Sequence, residues 1–149
     1  DLRYALERRE FFLVYQPVVK LTDEKLVGFE ALIRWKHPKH GLISPMEFIP
    51  IAEETGTISA IGKWVLETAC QQLRAWQKRN SEMKDVWMSV NVSTKQFMEP
   101  ELFALVEKTL RDTGLAPHCL KLEVTETAMV ENMEFAVKTM QNLKELGLR

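Results

Sequence analysis

Three oxygen-bearing side chains sit in segments of alternating hydrophobicity: Glu30 in Gly28-Phe29-Glu30-Ala31-Leu32, Asn91 in Val90-Asn91-Val92-Ser93, and Glu123 in Leu122-Glu123-Val124-Thr125-Glu126. Two carboxylates and an amide oxygen are hard donors, which suit Mg²⁺ or Mn²⁺ and suit zinc or copper poorly. Arg34 follows Glu30 by an even number of residues, so strand parity sets both side chains on one face. A divalent cation beside a guanidinium is an arrangement for binding a phosphate ester. On spacing alone the plainer alternative, exposed charges and a core-edge amide, stays open.

Positioning these groups falls to an alternation of strands and helices. Residues 1–10 carry Leu2, Ala5 and Leu6 among charges and predict a short amphipathic helix. Residues 11–20 and 26–35 are rich in aromatic and branched side chains, and Thr22-Asp23-Glu24-Lys25 between them predicts a hairpin, with Pro17 at an edge or a strand end. A loop over 37–43 leads to Ser44-Pro45-Met46-Glu47, a hydroxyl cap with proline at the first helical position. That helix should stop near Gly56, and a longer one follows with Ile61, Val65, Ala69, Leu73 and Trp76 on one stripe. Residues 86–92 alternate, with Trp87, Ser89 and Asn91 sharing one face, and Ser93-Thr94-Lys95-Gln96 is a second capping pattern. A helix to Gly114, a strand over 120–125, and a helix from Asn132 to Gly147 complete the series. The order predicts an α/β fold with a parallel sheet. Polar groups on one face of the later strands favour a (β/α) barrel, whose mouth carries the chemistry, over a doubly wound sheet with apolar strand faces.

The 149 residues make one domain's worth of chain, with 46% hydrophobic and 28% charged residues, which excludes a disordered or collagen-like polypeptide. Net charge is −1, so no general field attracts DNA or RNA and any phosphate ligand must be held locally. Two cysteines, Cys70 and Cys119, are too few for a disulfide framework, so a cytoplasmic setting is expected, with anchoring of a parent protein to the inner membrane left open. Trp64 and Trp76 read as core, His37, His40 and His118 as loop residues without a second ligand at zinc-like spacing, and both cysteines as buried thiols. Lys121 reads either as a surface charge or as an inward pair for Glu123. The start at Asp1 and the close on Gly147-Leu148-Arg149 are read as the ends of a segment of a larger protein.

Glu30-Ala31-Leu32 within residues 27–35 resembles the signature of EAL domains, bacterial phosphodiesterases that hydrolyse cyclic di-GMP. It is flanked in order by Tyr15-Gln16-Pro17, His37-Pro38 with Gly41, Ser44-Pro45 with Phe48-Ile49-Pro50, Ala52-Glu53-Glu54, Val90-Asn91-Val92-Ser93 and Glu123-Val124-Thr125-Glu126, so the resemblance covers essentially the whole chain. It implies a TIM-type barrel with an antiparallel first strand. It also implies metal ligation by Glu30, Asn91 and Glu123, with Glu30 and Glu123 serving catalysis, and a phosphate contact from Arg34. Gln16 and Pro45 would lie near the nucleotide, and Glu126 would steady a neighbouring loop. In the family, two Mg²⁺ or Mn²⁺ ions bridge one phosphate and activate a water, giving linear pGpG.

The family pattern continues into paired aspartates, a strand lysine, a further glutamate and a glutamine, none of which this chain contains. A TIM barrel takes about 250 residues, so residues 1–149 are expected to be the N-terminal half of the domain and to hydrolyse nothing alone. A half barrel is expected to self-associate, as a homodimer or otherwise, through uncovered strand edges. Sensory or GGDEF-type domains are expected as neighbours in the parent. The alternative to a phosphodiesterase is a catalytically inactive EAL-type receptor for cyclic di-GMP.

Overall fold

A computed structural model describes residues 2–124 and 132–149. The first helix, α1 (Leu2–Ala5), is shorter than the periodicity of residues 1–10 predicts. Arg9 takes a left-handed backbone (φ 57°) and Glu10 N–H returns to the Ala5 carbonyl at 2.9 Å, which ends the helix and turns the chain into the sheet.

Strands β1 (Phe11–Val19) and β2 (Leu26–His37) form the expected antiparallel hairpin, in register from Phe11 opposite Trp35 through Gln16 opposite Glu30. The turn closes with Lys20 N–H on the Lys25 carbonyl and with Glu24 at φ 55°. Beyond Trp35 the structure departs from the expected loop. Strand β2 continues to His37, turns through Gly41 at φ 68°, and pairs with β3 (Gly41–Ile43). Ser44 then caps α2 (Pro45–Thr55) by accepting Met46 N–H at 3.2 Å, and Gly56 in the left-handed region stops it.

Helix α3 (Ile58–Arg79) buries the predicted stripe of Ile61, Val65, Ala69 and Leu73. Trp64 and Trp76 pack as core-edge rings, the first on Phe11 and the second on Tyr15 and Phe29. Strand β4 (Trp87–Val92) leads into the one-turn α4 (Thr94–Phe97), whose capping box has both bonds: Gln96 N–H to Ser93 Oγ and Ser93 N–H to Gln96 Oε1. Helix α5 (Leu102–Thr113), strand β5 (Leu120–Val124) and helix α6 (Met133–Leu146) follow. Asn132 caps α6 through Phe135 N–H.

The sheet runs β1-β2-β4-β5, with β3 also on β2; β1 is antiparallel to β2, and β2, β4 and β5 are mutually parallel. Pro17 thus lies on an edge strand, where a missing N–H is tolerated. One face of the sheet is core: Ala31, Trp35, Met88, Val90, Val92 and Leu120 are buried with the apolar stripes of α3 and α5. The other face bears Val14, Gln16, Asn91 and Glu123, all exposed. Among the described residues, then, the apolar face is the helix-covered one. Together with the antiparallel first strand, this is an arc of the predicted barrel.

Candidate active site

The exposed face of the arc is built by parity. Gly28, Glu30, Leu32 and Arg34 share it on β2, Trp87, Ser89 and Asn91 on β4, and Lys121 and Glu123 on β5. Register then stacks them in tiers. Gln16 lies opposite Glu30, Glu30 opposite Ser89, and Ser89 opposite Lys121; one step higher, Asn91 lies opposite Glu123. Asn91 Nδ2 spans the two tiers and donates to Glu30 Oε2 at 3.0 Å. Of the three sequence-predicted ligands, Glu30 and Asn91 therefore touch, and Glu123 stands opposite Asn91 on the next strand of the same face. Glu30 itself is a mid-strand residue, since β2 runs on from it to His37. It joins Asn91 because β4 starts opposite Gly28, so the β4 end nearest the site lies only slightly above Glu30.

The donor chemistry fits a hard divalent cation. Asn91 engages Glu30 through its nitrogen, so its amide oxygen and Glu30 Oε1 take no part in that bond and could face a cation. Among the described residues no three His, Cys, Asp or Glu side chains gather into a metal cluster, so a cation on this face would need the Asn91 amide beside the two carboxylates. Two protein carboxylates with water and substrate phosphate are the usual environment of Mg²⁺.

Lys121 is an inward pair: its Nζ lies 3.7 Å from Glu123 Oε1 and 5.1 Å from the centre of the Trp87 ring. Both members of the pair are about two-fifths exposed, with side-chain values of 41% and 44%, so the pair contributes no more than about 1 kcal/mol. Trp87 is buried and lies flat over Gly28. Ser89 is 1% exposed and its hydroxyl has no partner. Parity with Asn91 already put Ser89 on this face, but nothing in the sequence signalled that its hydroxyl is buried.

Between Ala31, the last β2 residue paired with β4, and Trp35, the first paired with β3, that edge of β2 is open. There Arg34 Nη1 takes the Ile33 carbonyl at 2.8 Å, and a cleft of about 290 Å³ brings together Arg34, Pro45, Asn91 and Ser93 over the apolar side chains of Ile49 and Ile61. Arg34 and Pro45 thus share a cavity with Asn91, and Gln16 borders Glu30 from the other side. Glu126 lies outside the described residues.

The remaining titratable groups read from the sequence are structural. Burial pushes the Cys70 thiol up to about 12, and burial likewise raises Cys119, so neither is a nucleophile. His37 Nδ1 accepts the Lys39 and His40 N–H groups, and His118 lies 3.3 Å from Asp85. No helix among the described residues is long and apolar enough to cross a membrane.

The family profile described as "EAL domain" matches residues 1–149. The chain belongs to the EAL domain family. An uncharacterized signaling protein of Caulobacter vibrioides is 43% identical over 149 residues, which are 100% of this chain and 18% of that protein. The bifunctional diguanylate cyclase/cyclic di-GMP phosphodiesterase MucR of Pseudomonas aeruginosa is 42% identical over 99% of this chain and 21% of its own length. Among solved structures, the MucR phosphodiesterase in complex with c-di-GMP superposes with a TM-score of 0.94 at 42% identity, covering 99% of this chain and 59% of that one. The FimX EAL domain of P. aeruginosa bound to c-di-GMP gives 0.85 at 26% identity, over 99% and 58%. This EAL chain therefore spans less than two thirds of each of these relatives.

Proposed function

We propose that residues 1–149 are the N-terminal part of an EAL domain whose parent protein hydrolyses cyclic di-GMP to linear pGpG with Mg²⁺ or Mn²⁺. The observation that carries this is the Asn91 to Glu30 hydrogen bond on strands whose register also sets Asn91 against Glu123. It puts three hard donors on one face beside an arginine-lined cleft. Bound Mg²⁺ or Mn²⁺, two ions in the complete domain, supplies positive charge at the phosphate and lowers the pKa of an attacking water. Glu30, Asn91 and Glu123 hold and orient that charge. Arg34, with N–H groups beyond the one given to Ile33, grips a non-bridging phosphate oxygen, and Gln16 and Pro45 border the nucleotide. The substrate resemblance rests on MucR and FimX, both seen with c-di-GMP.

The isolated segment binds the cation weakly and does not turn over, because it contains no aspartate pair of the kind the family uses. Uncovered Val14 on the inner face and the apolar stripe of Met133, Val137 and Met140 on α6 favour self-association of this segment. The parent works in the cytoplasm or at the inner face of a membrane, beside sensory or GGDEF-type domains. The test is chromatographic detection of pGpG from cyclic di-GMP by the full-length protein with Mg²⁺. Turnover that is abolished in Glu30→Gln and in Glu123→Gln is expected. Turnover insensitive to both substitutions overturns the assignment, and binding without turnover converts the parent into a receptor.

A further inference from the structure

One ammonium on the inner face has two seats. Lys121 Nζ is 3.7 Å from the Glu123 carboxylate and 5.1 Å from the Trp87 ring centre. Lys121 and Glu123 alternate on β5, and Trp87 lies on the neighbouring strand one step lower, so the ammonium sits between a carboxylate above and an indole beneath. Resting on the reading that Glu123 takes a divalent cation, we infer that Lys121 is a built-in competitor for Glu123, and that Trp87 is the seat to which its ammonium withdraws when the cation enters.

A carboxylate cannot serve an ammonium and a divalent cation together without bringing two positive charges within a few ångströms, where they repel. One must move. Lysine carries a compact charge on a flexible four-carbon stem, so its head can change place without moving β5. The lower seat is an indole that already attracts cations, since the Arg149 guanidinium carbon also lies 5.9 Å from the Trp87 ring centre. Indole is the aromatic face that best attracts a cation, and the Trp87 ring is laid flat by Gly28, where any Cβ would come within 2.3 Å of the ring. Ser89, opposite Lys121 in the register, adds a buried hydroxyl without a partner on the same face. A buried hydroxyl left unpaired calls for an explanation; as an acceptor for the withdrawn ammonium it has one. The device keeps Glu123 neutralised in the absence of the cation and limits how tightly the cation is held.

The test is Mn²⁺ titration of the nucleotide-free full-length protein, read from the electron paramagnetic resonance signal of free Mn²⁺, with no turnover involved. Lys121→Met should tighten the dissociation constant about three- to fivefold, the range set by an exposed ion pair. Lys121→Arg, which keeps the charge, should stay within about twofold of the unmodified protein. Trp87→Leu should weaken Mn²⁺ about two- to threefold, and this effect should shrink in the Lys121→Met background, where only Arg149 is left on the ring. Should Trp87→Leu fold poorly, Ser89→Ala replaces it, with the same dependence on Lys121. Unchanged or weaker binding in Lys121→Met, or an equal Trp87 effect in both backgrounds, overturns the inference. Glu123→Gln separates the two claims: if it leaves Mn²⁺ binding intact, the metal-site reading has failed, and if it abolishes binding while Lys121→Met changes nothing, only the competitor has failed.

Discussion

Replacing Gly28 by alanine tests the floor of the site directly. A Cβ at Gly28 would lie 2.3 Å from Trp87 Cδ2, 2.5 Å from Cε3 and 2.6 Å from Cε2. Non-bonded carbons settle at about 3.5–4.0 Å, so the methyl overlaps the ring by more than about 1 Å. Trp87 is 9% exposed and has little free space, and Gly28 is its register partner. Either the indole tilts off β2 or the β2–β4 ladder opens where Glu30 and Asn91 meet. Overpacking of this kind costs about 1–3 kcal/mol, and for a chain of this length each kcal/mol moves the melting temperature by about 2–4 °C. Gly28→Ala should therefore melt roughly 2–12 °C lower when unfolding is followed by near-ultraviolet circular dichroism. Trp87→Leu makes room for the methyl, so the double variant should be less destabilised than the sum of the singles by about 1 kcal/mol or more. An unchanged melting temperature in Gly28→Ala, or strict additivity in the double variant, refutes the steric reasoning.

Other outcomes follow from the same geometry. If the full-length protein hydrolyses cyclic di-GMP as proposed, Glu30→Gln should lower that rate about a hundredfold or more, since it removes a charge from the proposed cation site; steady-state rates at saturating Mg²⁺ check this. Gly62→Ala should melt several degrees lower, because its Cβ would collide with the Gln96 side chain and disrupt the capping box that follows Asn91; a melting curve equal to that of the unmodified chain contradicts it. Cys70 should resist a thiol reagent at neutral pH until the chain unfolds, because its thiol titrates near 12 in the folded state. The unfolded thiol titrates near 9.0, so between about 9 and about 12 only the folded chain keeps the proton, and stability contributed by Cys70 should fall as pH rises through that window. Cys70→Ala should flatten that part of the stability profile. Light scattering of the 149-residue chain should show mass rising with concentration; a monodisperse monomer contradicts the expected self-association.

Strand parity made the site legible before any coordinates. Glu30, Asn91 and Glu123 each stand in a strand of alternating residues, and the alternation alone assigns them to the face opposite Ala31, Val90 and Leu122. The helix stops at Gly56, Gly114 and Gly147 were equally plain, since each adopts the left-handed backbone that glycine tolerates. The short end of α1 was not, because Arg9 rather than glycine takes the left-handed turn. Nor was β3: Pro38 and Gly41 mark a turn, and only pairing between Trp35 and Ile43 decides that both flanks are strands. Register was the other hidden quantity. Which rung of β4 faces Glu30 depends on tertiary packing, and with it the pairing of Ser89 and the position of Lys121 between Glu123 and Trp87.

The parity that unites the core and the site also restricts how the gene can vary in length. Adding or deleting one codon within β2, β4 or β5 would rotate every later side chain of that strand to the opposite side, exposing its packing residues and burying its acids in a single event. Size changes among descendants of this sequence should accumulate where no such coupling exists, as in the Lys20–Lys25 turn and the stretch from Asn80 to Val86 between α3 and β4.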